Sequence, residues 1–274
     1  MSHFQDFPPL TLGTLHQKST HLDQLTTREV EWMKEVHPWV ALFPLGSVEP
    51  HGPHLPLATD RYLSEENASR ALVELRKNGV NAWIVSSFAY GVTEFAAGFD
   101  GAISVPQPLF ESLLTHIIEQ YMKAGCIHVC LINHHLEPGQ LNAIQTVTKQ
   151  FHQQYSPTFL SAPQVVSKEW GRHLGAEFKS GACHAGEYEG SMIAASHPHT
   201  FEHEIAQILP GVDISLSKAI YGGCESFIEA GMSLAYTGTP QTISISEGHR
   251  LYQAHTNMVC TEVLNALKMR TAPC

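Results

Sequence analysis

Residues 44–60 hold the side chains of this chain that are best suited to bind a metal. Glu49, His51, His54 and Asp60 fall within twelve positions, in a loop rich in glycine and proline. Carboxylate oxygens and imidazole nitrogens together suit zinc, manganese or iron better than calcium. The loop therefore predicts a metal site rather than a solvated surface turn.

The spacing within this loop indicates which side chains could share a metal. Glu49 and His51 are two residues apart, so in an extended segment both point the same way. Asp60 opens a helical pattern, where backbone N–H groups and the helix dipole favour its ionised form, and its two oxygens could bridge two metals. Asp60 could instead serve only as a helix cap. His54 could be a ligand, a residue that supports a ligand, or a packing residue.

Two further patches offer the same chemistry later in the chain. His135 and Glu137 repeat the His/Glu pairing after an apolar run, and adjacent His134 should face the other way. That segment could also be only a polar turn. His184 with Glu187 or Glu189 forms the third patch, which could equally be a helix N-terminus carrying acidic residues for its dipole. Nothing in the sequence positions the neighbouring Cys183 as a nucleophile.

The elements between these patches alternate between strand and helix patterns. We predict strands over 39–45, 80–88, 126–133 and 158–166, with a loop over 95–105 that ends in a short strand. We predict helices over 26–36, 60–77, 108–124, 139–155, 189–196 and 247–268. Thr26 is expected to cap the first of these helices, and Thr59 or Asp60 the second. Residues 197–245 show no clear pattern.

This alternation predicts an α/β fold with a largely parallel sheet that is covered by helices on both faces. In such sheets, functional groups gather at the carboxyl ends of strands. The first two patches follow predicted strands directly, so we expect all three patches to form one shared site with more than one metal.

Composition limits the class of protein. With 274 residues and no linker-like stretch, we expect a single domain over 1–274. Only 15% of residues are charged and 43% are hydrophobic, which fits a well-buried core and an oligomer. A net charge of −10 argues against nucleic acid and membrane surfaces as partners. The cysteines form no Cys-x-x-Cys pair and no signal segment is visible, so we expect a cytoplasmic protein with reduced thiols.

Several other residues have less specific patterns. The chain contains 18 histidines, of which His197, His199 and His203 cluster in what we expect to be a solvated loop. Trp170 lies between the second and third patches and could line a pocket or belong to the core.

The three patches resemble the signatures of the creatininase, or creatinine amidohydrolase, family. Residues 46–60 are similar to the first signature over its whole length, except that Pro50 stands where the family usually has Gln. Residues 133–137 resemble the second, with His134 in place of Gly and with the His-x-Glu form of creatinine-hydrolysing members. Residues 184–191 look like the third, with Gly190 in place of Thr. The likeness runs from about residue 25 to 200.

The resemblance implies a three-layer α/β/α sandwich, commonly assembled as a homo-oligomeric hexamer, with two divalent metal ions per site. Zn or Mn are expected, and Fe would also fit the ligand types. The resemblance places one metal on Glu49, Asp60 and Glu137, and the other on His51, Asp60 and His135, with Asp60 bridging. It makes His184 a catalytic acid or base and Glu189 a catalytic-site residue.

The resemblance also implies an activity. Family members hydrolyse non-peptide C–N bonds in cyclic amides and formamides, whereas some trim peptides or open carbocyclic rings. We expect a metal-activated water to cleave such a bond in a small-molecule substrate. A protein that keeps the metals but only binds a ligand is the alternative from another class. Creatinine-hydrolysing members carry a tryptophan four residues before the histidine that corresponds to His184, where this chain has Ser180, so we expect creatinine to be a poor substrate.

Overall fold

The computed structural model describes residues 8–271 and contains, within them, a parallel sheet of four strands. The strands are β1 (Trp39–Leu45), β2 (Ala82–Ile84), β3 (Cys126–Asn133) and β4 (Leu160–Ser161), in the spatial order β2-β1-β3-β4. β1 and β3 are the central pair and run side by side from Trp39 beside Cys126 to Leu45 beside Asn133, with one register shift between Trp39 and Val40.

Helices connect and cover these strands. In the described part of the chain they are α1 (Leu12–Lys18), α2 (Thr27–Val36), α3 (Thr59–Lys77), α4 (Gln107–Lys123), α5 (Pro138–Gln154), α6 (Lys168–Gly171), α7 (Ala176–Ser180), α8 (Glu187–Ser196), α9 (His203–Ile208), α10 (Leu216–Tyr221) and α11 (Ile245–Thr271). None of these helices combines the length and the apolar character that crossing a bilayer requires.

The side chains of β1 alternate between two apolar layers, as the pleat of a strand requires. Trp39, Ala41 and Phe43 point into a core that α4 and α5 close, whereas Val40 and Leu42 point into a core closed by α3 and α11. Helices therefore cover both faces of the parallel sheet, which confirms the predicted α/β/α layering.

The two central strands have the predicted bounds, but the two edge strands are shorter than predicted. β2 ends at Ile84, beyond which Phe88 forms only an isolated bridge with Leu45. β4 comprises Leu160 and Ser161 alone, and the short strand expected at the end of the loop over 95–105 is absent from the described structure. Edge segments pair on one side at most, so an apolar run there need not stay in the ladder.

The helices begin and end within a few residues of the predicted positions, but α3 is capped differently. The N-cap of α3 is Ala58, and neither Thr59 nor Asp60 caps it through a side chain. The hydroxyl of Thr59 instead donates to the carbonyl oxygen of Pro56 at 2.7 Å. Asp60 is therefore left free, in the first turn, to face the loop after β1. The predicted capping box of Thr26 and Glu29 is present at the start of α2.

Helix α11 packs closely against α8, which carries part of the third patch. Gly248 makes this possible, because a Cβ atom at this position would lie 2.0 Å from the carbonyl oxygen of Ser191. No side chain fits at that distance without moving one helix away from the other.

We expect Gly248→Ala to lower the free energy of unfolding by about 1–3 kcal/mol, the usual effect of overpacking. Chemical denaturation measures this difference. The matched control is Gly13→Ala, an exposed position in α1 where the nearest atom is 3.9 Å away and where alanine should be neutral or slightly stabilising. Equal stability of the two variants would show that the contact between α8 and α11 can relax freely.

Candidate metal centre

The three patches meet at the carboxyl ends of β1 and β3. The loop after β1 carries Glu49 and His51, and Asp60 follows in the first turn of α3. The loop after β3 carries His135 and Glu137, which is the residue before α5. His184 precedes α8, and Glu189 lies in its first turn. Glu137 is nearly buried, and the other six are fully buried, so they lie away from bulk water.

Asp60 lies between two histidines and faces each of them with a different oxygen. His51 Nε2 is 3.3 Å from Asp60 Oδ1, and His135 Nδ1 is 3.1 Å from Asp60 Oδ2. His135 Nδ1 is also 3.1 Å from Glu49 Oε1. The carboxylate of Asp60 therefore links the loop after β1 to the loop after β3.

The remaining groups extend this arrangement in two directions. His51 Nε2 is 3.6 Å from Glu189 Oε2, and His135 Nε2 is 3.9 Å from Glu137 Oε2. His184 Nδ1 lies 3.9 Å from Glu49 Oε1. Carboxylates therefore flank the central His51–Asp60–His135 arrangement on both sides.

Each histidine is oriented by a backbone carbonyl. His51 Nδ1 donates to the carbonyl of Glu49 at 3.1 Å, His135 Nε2 to that of Val92 at 2.7 Å, and His184 Nε2 to that of Pro50 at 3.0 Å. In all three rings the second nitrogen faces the carboxylates. This is how proteins hold the histidines that bind metals, with one N–H fixed outside the metal shell.

Backbone N–H groups and a hydroxyl fix the carboxylates as well. Glu137 accepts hydrogen bonds from the N–H groups of Glu94 and Phe95, at 2.8 and 3.2 Å. Glu189 accepts from the N–H of Ala185 at 2.7 Å, and Glu49 accepts from the hydroxyl of Thr93. These contacts aim the free carboxylate oxygens into the centre.

The loop of the third patch has an unusual backbone conformation. Ala185 has a φ of 53°, in the left-handed region that residues other than glycine rarely adopt. Its N–H bond to Glu189 fixes this conformation, and the side chain of His184 is thereby directed at the centre. Gly186 has another role, because a Cβ there would lie 2.3 Å from the carboxylate of Glu177.

The charges of the histidines respond strongly to the carboxylates. Burial on its own would lower the pKa of His51, but Asp60 and the neighbouring glutamates raise it to about 10. Burial also opposes protonation of His135, yet Glu49 and Asp60 raise its pKa well above its ordinary value. Both rings therefore sit where a positive charge is strongly favoured.

The pKa values of two carboxyl groups in the same cluster are raised as well, which favours their neutral forms. Burial raises the pKa of Glu137 to about 7, and it raises the pKa of Glu189 to about 8, with the nearby Asp60 and Glu49 adding to the shift. Burial and the neighbouring carboxylates thus disfavour the ionised forms of Glu137 and Glu189. A bound cation would favour these ionised forms.

The donor set fits divalent metal ions. His51 Nε2 and Asp60 Oδ2 are buried and have no hydrogen-bond partner within residues 8–271, which is costly unless another group satisfies them. Three sets of side chains, within residues 8–271, place their donor atoms within 4.8 Å of one another: Glu49, His51 and His184; Glu49, His135 and Glu137; and His51, Asp60 and Glu189. Mixed nitrogen and oxygen ligands suit Zn, Mn or Fe.

Comparison with known proteins identifies the family. The family model for creatininase, described as creatinine amidohydrolase, matches residues 23–263. The chain belongs to the creatininase family. It is 24% identical over 246 residues to a "Mycofactocin precursor peptide peptidase" of Mycobacterium ulcerans (strain Agy99), with 88% of this chain and 90% of the relative covered.

Solved creatininase structures share the fold. The structure described as "Creatininase Mn" aligns with a TM-score of 0.67 and 17% identity, covering 93% of this chain and all of the other. A glutamate-to-glutamine mutant creatininase described as "Zn-Zn type" aligns with a TM-score of 0.66 and 16% identity, with coverage of 93% and 100%. The recognised family and the predicted fold class are both confirmed.

Two departures of this creatininase-family chain from the usual signatures have structural explanations. At Gly190, a Cβ would lie 2.2 Å from Cδ1 of Ile243, so a threonine there would require the side chain of Ile243 to move. His134 is fully buried, as its ring contacts the ring of His255 with centroids 4.5 Å apart. His255 Nε2 is in turn hydrogen-bonded to the hydroxyl of Tyr188 at 2.8 Å.

The residues whose roles the sequence left open do not belong to the three sets of side chains that could hold a metal. His54 is buried with its ring edge-on to Tyr236, and burial lowers its pKa to about 4. Glu187 is half-buried in the first turn of α8. Trp170 packs at the edge of an apolar cluster away from the centre. His199 and His203 are exposed as expected, whereas His197 stacks on Tyr62.

Several residues that shape the centre have no recognisable pattern in the sequence. Thr93 and the carbonyl of Val92 come from a loop without a recognisable motif. Phe227 stacks on His184 with ring centroids 4.4 Å apart, although the two residues are 43 positions apart in the chain. Such contacts between distant segments cannot be read from local patterns.

Proposed function

We propose that this protein is a metal-dependent amidohydrolase that cleaves the C–N bond of a small cyclic amide or formamide. The observation that carries the proposal is the buried set of three histidines and four carboxylates, in which each histidine is fixed by a backbone carbonyl and aimed at the carboxylates. A solvated or merely structural cluster has no need of this arrangement.

We propose that the site holds two divalent ions, Zn or Mn first and Fe as the alternative. Asp60 would be the ligand that both ions share, because its Oδ1 faces His51 and its Oδ2 faces His135. The ligands would be Glu49, Asp60 and Glu137 on one side and His51, Asp60 and His135 on the other. The distances also bring Glu189 within ligand range of His51 and Asp60. When bound, the ions would polarise the amide carbonyl and activate water for attack.

His184 is proposed to move the proton that the leaving nitrogen needs. Burial lowers its pKa to about 4, with nearby His51 adding to the shift, so the ring is neutral at pH 7. Nε2 keeps its proton in the bond to Pro50, which leaves Nδ1 to accept a proton and pass it on. Glu189, whose pKa is raised to about 8, is the second candidate for this role.

A peptide-trimming activity is the second candidate function. It is favoured by the Mycobacterium ulcerans relative, which is named a peptidase of a precursor peptide. The cavity above the centre, of about 280 Å³, would admit only the end of such a peptide. Opening of a carbocyclic ring, or ligand binding without catalysis, would use the same centre with a different substrate. As partners we propose a small-molecule substrate and further copies of this chain in a cytoplasmic hexamer.

Turnover on a panel of cyclic amides, formamides and short peptides separates these functions, when it is measured with the metal-loaded protein. Hydrolysis of a cyclic amide or formamide supports the proposal, and cleavage confined to peptides supports the second candidate. Binding of panel members without turnover of any of them would contradict an enzymatic function.

Creatinine itself should be a poor member of the panel, with turnover well below about 1 per second, the low end of ordinary enzyme rates. Ser180, which stands where creatinine-hydrolysing relatives have a tryptophan, is exposed and bonds to the backbone of Glu177 at 2.7 Å. A flat ring would therefore lack a stacking partner from this position. Turnover of creatinine at or above that rate would show that another residue supplies the contact.

A further inference from the structure

The cavity above the metal centre has two chemically different parts. Its floor is formed by the polar side chains of Glu49, Asp60, His135, Glu137, His184 and Glu189, whereas its wall is apolar. The wall comes from five separate segments of the chain and includes Phe95, Leu136, Val166, Leu216, Ile220 and Phe227. A substrate that places its amide on the floor must therefore place its substituent against hydrocarbon.

The wall is held in place before any substrate binds. Phe227 stacks on His184 and meets Phe95 edge-on, with ring centroids 5.2 Å apart. The N–H of Phe227 donates to the carbonyl of Phe95 at 2.9 Å. Both rings are nearly fully buried, at 3% and 8% exposure. An apolar group can therefore pack against these two rings without reorganising them, which lowers the entropic cost of binding.

The wall offers no partner for a charged substituent. Within residues 8–271, no lysine, arginine, asparagine or glutamine lines the cavity. Away from the floor, the polar groups are neutral: Ser217, Cys183 and the hydroxyl of Tyr221. A carboxylate or ammonium group held against the buried rings of Phe95 and Phe227 would lose its hydration without gaining an ion pair, which is strongly unfavourable.

The size of the cavity limits the substituent. Its volume of about 280 Å³ lies at the lower edge of the range of roughly 300–1,000 Å³ that is typical of pockets for drug-sized ligands. This space fits an amide group together with one branched alkyl or single-ring aryl group.

We infer that the substrate is an amide whose leaving or acyl part carries one neutral apolar substituent, and that Ile220 and its wall neighbours determine this specificity. This inference rests on the proposed hydrolytic function. It also argues against a peptide with a free terminal carboxylate in the cavity, because nothing in the wall would pair with that carboxylate.

The test uses two matched series, N-substituted formamides and 5-substituted hydantoins. Each series carries methyl, isobutyl, benzyl, carboxymethyl or aminoethyl as the substituent. For the metal-loaded wild-type protein we measure kcat/KM, and we measure binding by isothermal titration calorimetry for members that are not turned over. We expect kcat/KM for the isobutyl and benzyl substrates to exceed that for the methyl substrate and for both charged substrates by at least about tenfold. This is the discrimination that an apolar pocket achieves.

The variant Ile220→Lys tests whether the wall is responsible. Ile220 is half-buried at the end of α10, so a lysine there can place its ammonium group in the cavity. In this variant we expect kcat/KM for the carboxymethyl substrates to rise, and kcat/KM for the benzyl substrates to fall, by at least about tenfold each. The matched control Ile208→Lys changes an isoleucine that is 82% exposed and absent from the wall, and it should keep the wild-type ranking.

The outcomes separate the inference from the proposed function. Hydrolysis of all substituents at equal rates overturns the inference and leaves the hydrolytic function standing. Graded binding without hydrolysis supports the inference and overturns the function, whereas no binding and no hydrolysis overturns both. If Ile220→Lys does not fold, as judged by circular dichroism, the wild-type ranking alone decides.

Discussion

Asp60→Ala should lose both metal ions and, with them, all measurable amide hydrolysis. Asp60 is fully buried, faces His51 with one oxygen and His135 with the other, and is the residue proposed to bridge the two ions. Its removal takes a shared ligand and a negative charge from both positions at once. Metal content per chain by plasma mass spectrometry, together with turnover on the same sample, measures the effect.

The control for this variant is Asp100→Ala, which removes an exposed carboxylate of the same type. It should retain the wild-type metal content and rate. If Asp60→Ala binds one ion normally, Asp60 is not a bridge. If it retains both ions, the assignment of the whole centre is wrong.

His184→Ala should keep its metals and lose about 10²–10⁴-fold in turnover, the usual contribution of a general acid or base. His184 Nδ1 is 3.9 Å from Glu49, whereas His135 Nδ1 is 3.1 Å from both Glu49 and Asp60. We therefore expect His135→Ala to lose metal as well as activity. Metal content and kcat must be measured on the same preparations.

The exposed His116 provides the control for both histidine variants, because His116→Ala should change neither metal content nor kcat. A metal-depleted His184→Ala would make His184 a ligand, in agreement with its grouping with Glu49 and His51. The proton transfer would then fall to Glu189.

The candidate metal ligands could be predicted because several His, Asp and Glu residues follow closely after strands that are clear in the sequence. β1 and β3 are buried on both faces, so their apolar runs are continuous and their ends are clear. The functional side chains follow within a few residues of each end. The sequence alone therefore predicted both the layers of the fold and the meeting of Glu49, Asp60 and His135.

Other features depend on contacts between distant segments and could not be predicted. The lengths of β2 and β4 depend on pairing at the sheet edges, which local β propensity does not report. Residues 197–245 form short helices and turns that are held by tertiary contacts, and Phe227 lies among them. The apolar wall of the cavity consequently had no signature in the sequence.

The role of Asp60 shows how a local rule can mislead. An acidic residue at the start of a helix is most often read as a cap or as a partner of the dipole. Here Ala58 is the cap residue without a side-chain bond, and Asp60 faces two histidines from the first turn. The sequence around Asp60 is compatible with both roles. The contacts with His51 and His135 exist only in the folded protein, where the loops after β1 and β3 lie side by side.

The most direct test of metal-dependent hydrolysis is to strip the wild-type protein with a chelator and to titrate Mn²⁺ or Zn²⁺ back. Metal content and hydrolysis of the best substrate in the panel are followed on the same samples. We expect no turnover in the stripped protein and a return of activity as the content approaches two ions per chain. Turnover at the full rate by protein verified to be metal-free would contradict the proposed function.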